Sequence, residues 1–291
     1  MGESASQLSG PGGRFWKRLG GTARERLLSV LYLATSALSL YMCLWILVFP
    51  SSWLVGHVPL HDSLIKTAFT RAAAEGKPLP VPVSLVMKYE GHTAVQLTHI
   101  LPAVVWAAAI PVQLHPSARL SYQQFHRMSG YAFSTSAALM MVGFGLIDYR
   151  GLYYDRVDFP SIPAHQNMSM LGLDRPFGLS HISFFRLLGG WFAITLIVAI
   201  EAARRRRFAL HERFVYRHVA SGLWVAVQRL YVTAAAFKRV EEQKAAFGDG
   251  SVVGVLLTAA TAEVAIWAKR GVVDAGKREG KREGKREGKR E

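Results

Sequence analysis

From Leu27 to Phe49 the chain runs for 23 residues without a charged side chain. A backbone placed in hydrocarbon has to pair its own amides, so a block of that length can cross a bilayer only as a helix. Five more apolar blocks follow, at about Ala94–Leu114, Ser129–Ile147, Ser183–Ala203, Phe214–Phe237 and Ser251–Ala268. The pattern predicts an all-α, polytopic integral membrane bundle of six transmembrane helices, with blocks 2–5 as a core four-helix bundle. Pro50-Ser51-Ser52-Trp53 reads as an interfacial exit from the first helix rather than as a leader cleavage site. Pro102 and Pro111 each remove an amide donor from the second block and are expected to bend it.

Charge sets the expected orientation. The formal net charge is +15. In a soluble protein such an excess suggests nucleic acid, but here the basic residues cluster beside apolar blocks. With the N-terminus inside, the inner segments hold 23 Lys and Arg against 10 in the outer loops, and Arg204–Arg207 is the strongest single marker. That asymmetry predicts N-in and C-in, with the bilayer and its anionic lipids as partners and no nucleic acid. The sequon at Asn167-Met168-Ser169 falls in an expected outer loop. Residues 1–26 read as a basic cytoplasmic segment, 27–268 as the membrane domain and 269–291 as a disordered tail of Lys-Arg-Glu-Gly repeats. The single cysteine, Cys43, lies in the first block, so no intrachain disulfide forms.

Familiar catalytic signatures fail on inspection. Gly271–Lys277 begins like a P-loop, but Arg278 stands where the magnesium-binding hydroxyl belongs and no strand precedes it. His211-Glu212 begins like a zinc protease helix, but Val215 stands where the second histidine belongs. The chain has no nucleophile elbow and no dinucleotide fingerprint.

The informative feature is the placement of histidines on four successive blocks. His99 falls at the outer end of block 2, His126 at the inner start of block 3, His181 at the outer start of block 4, and His211 and His218 at the inner start of block 5. Two imidazoles at one depth on facing helices are what a b-type haem needs. The expected sites are an inner one ligated by His126 with His211 or His218, and an outer one ligated by His99 and His181. The expected function is one-electron transfer across the membrane through haem b, fed by a small anionic donor or substrate. Arg229, an ionisable group inside block 5, is expected to meet a haem propionate or an anionic substrate. The same histidines also suit a proton-coupled or small-solute transporter, and the basic tails suit a non-catalytic membrane protein.

Two stretches carry a resemblance. The first is His99-Ile100-Leu101, Pro111-Val112-Gln113-Leu114 and His126-Arg127 with Gly130. The second is Arg204–Arg207, Phe208, His211-Glu212-Arg213-Phe214 and Arg217, continuing to Gln228-Arg229-Leu230. Over about residues 92–235 these resemble a family of multi-pass membrane proteins catalogued as domain of unknown function 2306. The resemblance implies that His99, His126 and His211 are recurrent positions and supplies no activity. Tyr131 stands where the family usually has arginine, and His181 matches no family histidine. In layout alone, the histidine placement resembles the ascorbate-reducible transmembrane b-type cytochromes, which hold haem between helices 2 and 4 and between helices 3 and 5.

Overall fold

A computed structural model describes residues 22–48, 56–77, 79, 81–115, 118–159, 179–236 and 243–287. Most of the expected N-terminal segment, the sequon and the last four residues lie outside them. Among the described residues the chain is all-helical and has no strand. The elements in chain order are α1 (Ala23–Val48), α2 (Pro59–Ala74), α3 (Val83–Met87), α4 (Thr93–Leu114), α5 (Ala118–Ser121), α6 (Gln123–Tyr149), α7 (His181–Arg204), α8 (Phe208–Ala236) and α9 (Gln243–Glu287).

The helix ends follow local chemistry. Thr22 and Glu25 form a reciprocal capping box at the start of α1: the Thr22 amide donates to Glu25 Oε2 (2.8 Å) and the Glu25 amide to Thr22 Oγ1 (3.4 Å). Ser180 caps α7 by accepting from the Ser183 amide at 3.2 Å. The turn from α7 to α8 closes when the Arg206 amide donates to Ala203 O and the Arg207 amide to Ala202 O, with Arg206 at φ 57°. That is a Schellman closure with arginine where glycine is usual. α9 runs on into the charged repeat, to Glu287.

Pro102 distorts α4 as expected, and the form of the distortion matters. Gln96–Ile100 makes a π-turn, closed by the Leu101 amide donating to Gln96 O. Proline at 102 cannot donate, and its ring crowds the carbonyl one turn back. Widening the preceding turn by one residue relieves both. His99 lies in this turn.

Five helices are long and apolar enough to cross a membrane among the described residues: α1, α4, α6, α7 and α9 over Lys244–Arg270. This composition is that of an integral membrane protein. At 29 residues α8 is long enough, but Arg213, Arg217, His218, Gln228 and Arg229 lower its apolar character. It nonetheless packs along α7 and α9. The main core cluster joins Trp106 and Ile110 of α4, Phe133 and Ala137 of α6, Phe192 and Leu196 of α7, and Val219 and Leu223 of α8, with Cys43 of α1 at its margin. A second cluster caps one end, with Val81, Leu85 and Phe159 set against Trp45 of α1 and Phe247 of α9. We call this the His99 end and the opposite one the His211 end.

Glycines set two helix separations. A Cβ on Gly143 of α6 would lie 2.7 Å from the His99 amide nitrogen, and one on Gly254 of α9 would lie 2.6 Å from Trp224 O of α8. Both neighbours are backbone and cannot swing away, so these are close approaches of the small-residue type. A bidentate pair, Arg217 to Glu263 at 2.6 and 3.1 Å, also joins α8 to α9. Gly143→Ala and Gly254→Ala are each expected to cost about 1–3 kcal/mol, read as a lower melting temperature in detergent. Gly190→Ala in α7, which meets nothing within 4 Å, is expected to melt at or slightly above wild type. Equal melting of all three variants would remove the close-approach argument.

Candidate functional site

A cavity of about 270 Å³ lies between the core and the cap at the His99 end. Trp106 and Phe192 form its floor, Met140, Met141, Phe144 and Leu188 part of its wall, and Leu85 and Phe247 part of its roof. Its polar lining is sparse: His99, Lys88, Tyr89, Tyr153, Tyr154, Ser221, Gln228 and Arg229. The volume approaches the lower end of ordinary ligand pockets.

His99 is oriented by its neighbours. Its Nδ1 is 2.9 Å from Met140 O, and a carbonyl only accepts, so Nδ1 carries the proton. The Nε2 lone pair remains available on a residue that lines the cavity. A backbone carbonyl holding the far ring nitrogen is the usual support of a metal-binding imidazole. The close approach at Gly143 fixes the backbone beneath it.

Lys88 is neutralised. Its Nζ donates to Asp158 Oδ2 at 2.6 Å and to Tyr153 O at 2.5 Å, and Asp158 is buried. Arg229 differs. Its guanidinium lies 5.8 Å from the Trp45 ring and 5.6 Å from the Phe247 ring. Among the described residues no carboxylate lies within ion-pair distance of it. Burial pushes the Tyr89 and Tyr154 phenols up, so both stay protonated as donors.

The expected outer pair does not assemble. His181 stacks on Tyr154 (ring centroids 5.7 Å apart) and meets Phe185 edge-on, and those two rings stand between it and the cavity. The sequence places His99 and His181 at one level, but it cannot show that the loop after α6 inserts Tyr154 between them.

His218 is also committed elsewhere. It is fully buried, and its Nε2 accepts from the Trp106 indole N–H at 3.1 Å. Its Nδ1 donates toward Phe192 O at 3.1 Å, with Thr195 Oγ1 at 3.2 Å. Both nitrogens are engaged, so no lone pair is left for a metal. The ring packs 4.2 Å from Phe192 and 5.3 Å from Phe133.

At the other end, His126 and His211 do come together on one small cavity of about 40 Å³, with Gln113, Arg119, Glu212, Tyr216 and Lys269. His211 Nδ1 donates to Ala199 O at 2.9 Å, which leaves its Nε2 free. His126 Nδ1 lies against the Val112 backbone without a well-formed hydrogen bond. Glu212 closes this pocket by pairing with Lys269 and, at 3.6 Å, with Arg119. The space is sufficient for one or two waters and far below what a macrocycle occupies. The described residues contain no group of three or more His, Cys, Asp or Glu that could hold a metal ion.

The donor set therefore fits haem b in one respect only. A single imidazole, His99, faces a cavity with apolar walls. Bis-histidine ligation at one iron is not assembled at either end. His92, seven residues before His99, points elsewhere, with its Nδ1 2.8 Å from Arg150. Sequence reasoning missed Tyr89, Tyr154 and the Trp106 contact, because no spacing rule links a loop tyrosine or an α4 tryptophan to a histidine of another helix.

Comparison with known proteins finds no matching family model, no matching characterised protein and no matching solved structure.

His218→Ala would leave the buried Trp106 N–H without an acceptor and open a void, a loss of about 2–5 kcal/mol. Trp106→Phe in the same background removes the orphaned donor. The double variant is therefore expected to melt well above the sum of the two single effects. Strict additivity would mean that the two rings are not coupled.

Proposed function

We propose that the chain crosses the bilayer six times, with α8 as the fifth crossing in chain order, both termini inside, and α4, α6, α7 and α8 as its working bundle. The cavity at the His99 end is its functional site. It receives a ligand that is apolar over most of its surface, and haem b is the member of that class suited to His99. The function is one-electron exchange at the outer side of the membrane with a small anionic donor.

A single observation carries this reading. The hydrogen bond from His99 Nδ1 to Met140 O leaves Nε2 available on the wall of a largely apolar, aromatic-lined space. Bound there, haem would supply a one-electron couple. The protein's part is to present that lone pair, exclude water through Trp106, Phe192 and Phe144, and hold the imidazole still through the π-turn and Gly143.

One feature favours a second reading. The Trp106, Phe133, Phe192 and His218 rings fill the middle of the bundle, with a histidine-lined cavity on either side. Two half-pathways separated by a plug suit a proton-coupled carrier.

The test is a reduced-minus-oxidised absorption spectrum of purified protein expressed with ample haem. A haem spectrum that changes on reduction, with the broad bands that ligation by one imidazole gives, is expected, lost in His99→Ala and retained in His126→Ala, His211→Ala and His181→Ala. A colourless wild-type protein would sink the haem reading. Proton-driven uptake into proteoliposomes would then test the carrier.

A further inference from the structure

We infer that Arg229, with Tyr154 and Tyr89, forms the headgroup pole of the cavity and that the ligand's polar end is a carboxylate. This rests on the cavity being a ligand site, as proposed above, and does not depend on what His99 binds.

Arg229 reaches the cavity from the last turns of α8 and lies between the Trp45 and Phe247 rings. Aromatic contacts hold a guanidinium in place without consuming its in-plane N–H donors. A cation held in low dielectric without a counter-charge is unfavourable, and an anion brought into the site relieves that cost. Tyr154 adds an independent sign. Its hydroxyl is buried, lies beside Ser251, and has no well-formed hydrogen bond. A buried hydroxyl without a partner costs stability unless something else meets it.

The charge count selects the class of anion. Lys88 also lines the cavity, but Asp158 neutralises it. That leaves one uncompensated cation and two phenol donors, which match one planar monoanion. A guanidinium meets a carboxylate through two parallel N–H donors. A phosphate dianion would keep one charge unmet in an apolar cavity. The remaining walls are mainly aliphatic and aromatic, so the body behind the carboxylate is apolar. Two sources have this chemistry: a propionate of haem, or a free long-chain carboxylic acid drawn from the bilayer.

The experiment uses the full chain in nanodiscs of uncharged lipid. Trp45, Trp106 and Trp224 line the cavity, so energy transfer from tryptophan to cis-parinaric acid reports occupancy. Saturable transfer that oleate displaces and methyl oleate does not is expected. Arg229→Gln is expected to weaken displacement at least tenfold and Tyr154→Phe a few fold. Arg186→Gln, an exposed arginine at the same end, is expected to leave it unchanged. Equal displacement by acid and ester would overturn the inference, and that comparison needs no variant should Arg229→Gln fail to fold.

A haem-bearing preparation distinguishes the sources. Haem loss at least tenfold faster in Arg229→Gln assigns the carboxylate to haem. Acid binding by a colourless protein ends the haem reading and keeps this inference. Haem retained equally in Arg229→Gln, together with no preference for acid over ester, does the reverse.

Discussion

Everything at the middle of this bundle is registered on one buried imidazole. Association of helices in lipid gains little from apolar burial, because the acyl chains are as apolar as the side chains they replace. Packing of small residues and a few polar contacts decide which faces meet. His218 of α8 accepts from Trp106 of α4 and donates toward the Phe192 carbonyl of α7, while Phe133 of α6 meets it edge-on. Four helices are thereby fixed in rotation about a single ring. A leucine there would pack, but it would leave an indole N–H orphaned and would not distinguish one rotation from another. The cavity floor is made from the same rings, so the shape of the site follows from this contact.

The second constraint is the π-turn in α4. It follows from Pro102, and it sets the direction in which His99 faces. Gly143 lets α6 come against the distorted turn closely enough for Met140 O to take the His99 proton. Four features spread over 45 residues of sequence, namely a histidine, a proline, a carbonyl and a glycine, thus make one oriented lone pair. None has that effect alone.

The spans were legible in the sequence because apolarity over bilayer length is a local property. Ala94–Leu114 is found at Thr93–Leu114, and Ser183–Ala203 at His181–Arg204. The block expected at about Phe214–Phe237 falls on α8, which begins earlier, at Phe208, and whose polar residues dilute its apolar signal. The histidine roles were only partly legible. His126 and His211 share a pocket, as their common level suggested. His99 and His181 share a level and still do not meet, because Tyr154 arrives from a loop whose path no periodicity encodes. His218 looked equivalent to His211 because a seven-residue spacing keeps one helix face. Their difference lies in what stands opposite: Ala199 O and open space for one, an indole and a carbonyl for the other. Arg229 stood out as a charge inside an apolar block, but its aromatic clasp draws on Trp45 of α1 and Phe247 of α9, whose contribution is tertiary.

The π-turn makes α4 one residue longer than its number of turns requires. That surplus residue offsets the helix by about 100° between its two halves. A relative with one residue fewer in this stretch would keep the same hydropathy profile, the same count of spans and the same histidine. Its imidazole would point toward a neighbour or into lipid, and the cavity would have lost its lone pair. Whether related chains share this site is therefore a question of insertion and deletion within a single helical turn, and overall likeness of the spans does not bear on it.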